Sequence, residues 1–328
     1  MFYCVFRCIF VFDTASCRLS ADDVLQGEGR TTCVYSACKG NKFRATGCHN
    51  YSLLIYFFRL LRRFSVFLHQ IAYFVDMKFS EVIGQDDAKE RLRQMVAENR
   101  VPHAIMLCGP QGCGKMALAL AFASYLLCEN NSGDDCCGSC RQCVMTDKLA
   151  HPDLHFSFPV IRPSGIGSEH KMSSEDFTGE WRHLLSQGPY FTMDQWLAAM
   201  GAANQQAQMG VGESDVVMRA LSLKSSQGGY KVCIIWLPER MNAECANKML
   251  KIIEEPPHKT VFIMVCKEPE KLLDTIKSRA QRIDIKRIET ESIETALVDR
   301  RGIDADAARR IARAANGSWL NALEALKQ

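Results

Sequence analysis

Ala104-Ile105-Met106-Leu107-Cys108-Gly109-Pro110-Gln111-Gly112-Cys113-Gly114-Lys115-Met116 is the stretch that decides the fold of this chain. It opens with an apolar run of strand length and continues into a turn that fits the phosphate-binding pattern GxxxxGK[ST] up to its last position. In that pattern Gly109, Gly112 and Gly114 let backbone N–H groups converge on a phosphate at the start of the next helix, expected over Met116–Leu127. Lys115 adds a point charge beside the β and γ oxygens. The hydroxyl that would hold Mg²⁺ is replaced by the thioether of Met116, a poor ligand for a hard cation. The turn thus keeps groups that hold a nucleotide's phosphates and lacks a metal anchor for hydrolysis. A glycine turn that merely caps a buried helix is the simpler alternative; the strand before it and the helix after it favour the phosphate loop.

The helix ends at Cys128, and Cys137, Cys140 and Cys143 follow in the spacing C-x8-C-x2-C-x2-C. Four thiolates so spaced suit a tetrahedral zinc ion with no position left for water, which marks a structural site. Cys136 is a neighbouring alternative to Cys137, although Cys137-Gly138-Ser139-Cys140 has the better knuckle spacing. Disulfides or free thiols are the other readings. A nucleotide-type loop beside the cysteines belongs to the reducing cytoplasm, and this favours zinc.

The chain has 328 residues, 47% hydrophobic and 23% charged, an ordinary globular composition with the length for two or more domains. Its net charge of +3 is unevenly placed: residues 1–76 carry 9 Lys and Arg against 5 Asp and Glu, and residues 77–328 carry 31 against 32. A near-neutral body lacks the bulk positive charge of a stand-alone DNA binder, so contact with nucleic acid falls to a local patch or to an assembly. Residues 1–76 hold Cys4, Cys8, Cys17, Cys33, Cys38 and Cys48, many aromatics and no sustained period. Phe2–Phe12 resembles a signal core but carries Arg7. Leu53–Val75 has spanning length but carries Arg59, Arg62 and Arg63 near its middle. The expectation is an unassigned extension upstream of a natural start at Met77.

From Met77 the pattern is regular. Helices expected over Asp86–Asn99, Glu213–Leu223, Asn242–Glu254 and Glu270–Arg279 alternate with the apolar runs Leu154–Phe158, Lys231–Trp236 and Thr260–Cys266. This argues for a parallel sheet covered by helices on both faces. Residues 159–212, with isolated aromatics Trp181, Tyr190 and Trp196, read as an inserted surface excursion with one or two short helices. Past Thr290 only helices are expected, over Ile293–Arg300, Ala305–Ala315 and Trp319–Lys327, forming a small α domain.

Five motifs occur in linked order: Phe79-Ser80-Glu81-Val82-Ile83-Gly84-Gln85, the turn Gly109–Lys115, the four cysteines, the run Asn247–Pro257 ending Glu254-Glu255-Pro256-Pro257, and Ser278-Arg279. Together they resemble the AAA+ subunits of the bacterial DNA polymerase III clamp loader, and among these the delta-prime class most. The resemblance covers residues 77–328 apart from the insertion. It implies an α/β fold with a P-loop AAA+ domain over 77–288, carrying a zinc module at 128–143 and an insertion at 159–212. A small helical lid would span 289–328, and the helical collar domain of family members is not expected in this chain. The implied partners are other clamp-loader subunits (gamma/tau and delta), with the sliding clamp and primed DNA reached through the assembly. The expected location is the cytoplasm, without a membrane.

The resemblance also bears on activity. Motor subunits of that family end the strand matching Lys231–Trp236 in acidic residues that hold Mg²⁺ and polarise water; Trp236 and Leu237 stand there. Their lid carries an arginine after a Gly-Ser pair to sense the γ-phosphate; Leu320 stands there, after Gly317-Ser318-Trp319. With Met116, three losses in one reaction centre imply a subunit of the polymerase III holoenzyme without ATPase activity of its own. Arg279 is retained and matches an arginine finger that acts in trans, worth ~10³–10⁵ in rate; a surface arginine capping its own helix is the plainer reading. Two other functions remain open at this level: an active gamma/tau-like ATPase, supported by Lys115 and the intact glycines, and a zinc-knuckle regulator that binds nucleic acid directly.

Overall fold

Five parallel strands form one sheet in the computed structural model, β1 (Ala104–Cys108), β2 (Leu154–Ser157), β3 (Lys231–Trp236), β4 (Thr260–Cys266) and β5 (Gln281–Asp284), in the spatial order β2-β3-β4-β1-β5. The structure describes residues 78–327 apart from 132, 164, 166, 168, 203–204 and 227–228. The extension 1–76, its cysteines and the expected start at Met77 lie outside the described residues.

Register explains the composition of the central strands. Ile105 stands opposite Ile263, which stands opposite Ile234, and all three enter one core; Met106, Met264 and Ile235 pair in the same way and enter the core on the other face. Both faces are covered, so β1 and, after their first residues, β3 and β4 run apolar without alternation. On the first face lie α1 (Asp86–Ala97) and α2 (Lys115–Leu127). Helix α2 is buried along its whole length, as a helix without a charged face requires. After it come α3 (Arg141–Asp147), within the cysteine-rich loop, and α4 (Thr178–Ser186) and α5 (Met193–Ala199), within the insertion. The second face is covered by α6 (Val211–Ser222), α7 (Ala243–Glu254) and α8 (Asp274–Lys277).

Three expectations change. Residues 159–212 are not a surface excursion: Trp181 is 1% exposed, Trp196 is 0%, and with Phe158 and Phe177 they extend the first core. An antiparallel bridge between Val160 and Gln208 closes the base of the insertion. The helix expected over Glu270–Arg279 is broken, because a 3₁₀ turn at Pro269–Lys271 leads to extended backbone at Leu272 and Leu273, which sends Leu272 into the second core before α8 begins. Strand β5 was not expected, since Ile283 alone among its residues is buried.

The C-terminal helices α9 (Thr290–Arg301), α10 (Ala305–Ala315) and α11 (Trp319–Ala325) have a core of their own around Ile293, Leu297, Ala308, Ala312 and Trp319, joined by Ile83 and Ile288. Among the described residues no helix is long and apolar enough to cross a membrane.

Candidate functional site

The turn between β1 and α2 is where the sheet, the insertion and the C-terminal helices meet. Gly112 (φ 77°) and Gly114 (φ 94°) are left-handed, a conformation that side chains disfavour. Close approach adds a second demand. A Cβ on Gly109 would stand 2.2 Å from Ile285 O, and one on Gly112 would stand 2.0 Å from Ser318 Oγ and 3.1 Å from Leu320 Cβ. The start of α11 is therefore seated on the turn, and Trp319 N–H donates to Gly112 O at 3.0 Å. Lys115 is folded back: Nζ donates to Gly109 O and Pro110 O, each at 2.6 Å. Burial, at 8% exposure, holds this ammonium below the usual lysine range. The Gln85 amide donates to Cys113 O (3.0 Å) and Lys286 O (2.8 Å), fixing the far side of the turn.

The positions where metal chemistry would be sought carry no oxygen. Met116 is 5% exposed and belongs to the apolar core. Trp236, at the end of β3, packs its ring 5.1 Å from Phe191 and 5.4 Å from Trp181 of the insertion. Leu237 is left-handed and donates its N–H to Val265 O at 2.9 Å, and Leu320, in the first turn of α11, is buried against the glycine turn. The next acid along the chain, Glu239, is already engaged: Oε1 accepts from the N–H groups of Lys267 (2.9 Å) and Glu268 (3.1 Å), and Oε2 from Cys266 Sγ (3.3 Å). It caps the turn after β4.

The insertion supplies a residue that sequence reading did not single out as functional. The Tyr190 hydroxyl lies 3.3 Å from where a Gly114 Cβ would be and accepts from Ile83 N–H at 3.5 Å; its ring is 6.4 Å from that of Trp319. Burial pushes this phenol up to about 12. Tyr190 thus meets the turn, Ile83 and Trp319 of α11 at once. Beside it opens a cavity of about 730 Å³ whose wall includes Lys115, Trp236, Glu239, Arg240 and Lys267.

Arg279 lies just past α8. Its Nη2 pairs with Glu254 Oε1 at 2.6 Å, and Nη1 donates to Thr275 O at 2.7 Å and Ser278 Oγ at 3.4 Å, while 37% of the side chain stays exposed. The arginine is a helix cap and an outward-facing guanidinium together.

The four predicted cysteines converge. The sulfurs of Cys128, Cys137, Cys140 and Cys143 all lie within 4.8 Å of one another, and those of Cys137 and Cys143 are 3.9 Å apart. Zn–S bonds of ~2.3 Å in a tetrahedron put sulfurs about 3.8 Å apart, so this cluster fits a metal ion such as zinc. Backbone N–H groups already point at the sulfurs: Asn130 and Cys137 at Cys128 (3.3 Å each), Cys140 at Cys137 (3.3 Å) and Cys143 at Cys140 (3.4 Å). N–H groups of Ser139 and Cys140 pull the Cys137 thiol down to about 6. Cys136 stands outside the quartet, buried, and its thiol is pushed up to about 11 by that burial. Asp135, unremarked in sequence, receives Phe79 N–H and Ser80 N–H at 2.9 Å each and so ties the cysteine loop to the start of the domain. Nothing local distinguishes it from Asp134; only the fold brings residue 79 within reach.

The chain is similar in sequence to proteins of one known family. Residues 84–289 match the family described as "DNA polymerase III, delta subunit". The delta' subunit of DNA polymerase III from Bacillus subtilis is 26% identical over 208 residues, 63% of this chain and 49% of that protein; the one from Pseudomonas aeruginosa is 31% identical over 177 residues, 54% of this chain and 41% of that protein. The match thus spans about half or less of these relatives' own length. Among solved structures, the RuvB protein of Thermotoga maritima aligns with 15% identity and a TM-score of 0.45, covering 78% of this chain and 64% of that one. Because the family match takes in more than half of its residues, this chain belongs to the DNA polymerase III delta-subunit family, with delta' subunits among its relatives.

Proposed function

We propose that this chain is a non-hydrolysing, delta-prime-like subunit of a cytoplasmic clamp-loader complex, and that it helps place a sliding clamp on primed DNA together with gamma/tau-like and delta-like subunits. The observation that carries the reading is the closed turn. Ser318 and Trp319 sit against Gly112, and Lys115 is bonded to the carbonyls of its own loop. Buried Met116, Trp236 and Leu320 support the reading, since a hard cation and a γ-phosphate need oxygen and charge where these supply neither. The working divisions are a sheet domain over 77–288 and a lid over 289–328. Cys128, Cys137, Cys140 and Cys143 would hold a structural zinc ion, closed to substrate.

Arg279 is the proposed contribution to chemistry. It faces outward, keeps its charge and does not depend on a working site in its own subunit, so it can stabilise phosphoryl transfer on a neighbour. The test is reconstitution of the full chain with the ATP-hydrolysing subunits of the same organism. The chain alone should show no ATP turnover; turnover abolished by Lys115→Ala would favour the motor reading. Arg279→Ala should leave assembly intact and lower clamp- and DNA-stimulated hydrolysis at the one adjoining site, and unchanged hydrolysis would refute its role in trans.

A further inference from the structure

We infer that Glu254 is the positioning residue for Arg279, an inference that rests on the trans-acting role proposed above. The guanidinium is held at two edges from two elements. Glu254 closes α7 and meets Nη2 at 2.6 Å, whereas Thr275 O in α8 takes Nη1 at 2.7 Å. Anchors at both edges fix the plane of the fork, which a single carbonyl leaves free to pivot. The two elements also differ in rigidity. Helix α7 is fastened to the sheet by fully buried Met249 and Ile253, while α8 is a single turn that buries Ile276.

Pro256 and Pro257 follow directly on Glu254-Glu255, so the helix stops there and Glu254 stays at its rim. Its side chain is 44% exposed and that of Arg279 37%, which leaves the pair open to a phosphate arriving from outside. Glu254 therefore transmits the order of the sheet to an arginine at the edge of the molecule. An arginine released from it keeps its charge but must be ordered anew at each encounter, which corresponds to a loss of roughly two- to tenfold in rate for one rotamer-rich side chain.

The experiment uses the reconstituted complex with the full chain and compares wild type, Glu254→Ala, Glu254→Gln, Arg279→Ala and the double Glu254→Ala/Arg279→Ala. Glu254→Ala should lower kcat for clamp-stimulated ATP hydrolysis at the adjoining site by roughly two- to tenfold with KM for ATP unchanged. Glu254→Gln should recover part of the rate, because its amide oxygen still accepts from Nη2. The double variant should be no slower than Arg279→Ala alone. If Arg279→Ala slows hydrolysis and Glu254→Ala does not, the positioning role is overturned while the trans-acting role stands. An increase with Glu254→Ala would show that Glu254 competes with the phosphate, and a loss of equal size in both backgrounds would make it a structural residue of α7; either result overturns the inference. If Arg279→Ala changes nothing, both readings fall together.

Discussion

The backbone N–H of Trp319 donates to the carbonyl of Gly112 across 3.0 Å, so the first residue of α11 is bonded to the loop that a phosphate would have to enter. The closure is local and specific, and it can be broken one residue at a time.

Gly112→Ala is the direct break. The left-handed backbone alone costs about 1–2 kcal/mol once a Cβ is present, and that Cβ would collide with Ser318 Oγ. Gly302→Ala is the control, with similar φ (63°) and open space around its Cβ. Amide hydrogen exchange should show faster opening at Trp319 and Ile288 in Gly112→Ala and little change there in Gly302→Ala. Equal protection in both variants would mean that the lid does not lean on the turn.

Trp236→Asp would place a carboxylate where a metal-binding acid is expected from the resemblance, yet the gain should be nil. Its side chain is 6% exposed among Trp181 and Phe191. Loss of a buried tryptophan costs about 3–5 kcal/mol before the charge is counted. Urea unfolding should find the variant severely destabilised, with Trp236→Phe much milder, and neither should hydrolyse ATP. A stable, hydrolysing Trp236→Asp would contradict this account.

Protein purified under reducing conditions should carry about one zinc ion per chain, measurable by elemental analysis. Cys140→Ser should lower that content and Cys136→Ser should not, since Cys136 lies outside the quartet. Removal of the metal should also expose the amides of Phe79 and Ser80 to exchange, because Asp135 holds both from within the cysteine loop.

Glu213 gives a pH signature. It is 1% exposed and accepts from Ser174 N–H (2.6 Å) and Ser174 Oγ (2.8 Å); burial raises it above the usual carboxylate range. A raised folded pKa means that the native state keeps its proton where the unfolded chain has lost it. The contribution to stability is therefore full below the unfolded value of ~4.3 and falls as pH rises through the folded value, by at most about 1.4 kcal/mol per unit. Glu213→Gln, which cannot ionise, should gain on wild type across that rise when denaturation is followed from pH 4 upward. Parallel stability curves would show that Glu213 titrates normally.

Much of this was legible in the chain. Strands β3 and β4 stand where their apolar runs predicted, and the four cysteines chosen by spacing are the four that converge. Local pattern sufficed there because burial on both faces and metal-ligand spacing are written in consecutive residues. The insertion was misread because Phe158, Trp181, Trp196 and Trp236 are scattered in sequence and meet only after folding. Tyr190 and Asp135 were missed for the same reason: their partners Ile83 and Phe79 lie far away along the chain. Strand β5 has one buried side chain, too little for a period to register.

The strand order has a consequence during synthesis. β1 sits between β4 and β5, and Ala104 pairs with Phe262. At ~5–20 residues per second the ribosome needs on the order of ten seconds to make the partner. Over that interval β1 and the largely apolar helix behind it have no sheet to join. The cysteine loop and the insertion emerge during the wait, and the cysteine loop holding Phe79, together with an aromatic cluster closing over the same face, would shield that surface from other nascent chains. Variants that weaken either should then lower soluble yield at the ribosome more than they lower the stability of protein already folded.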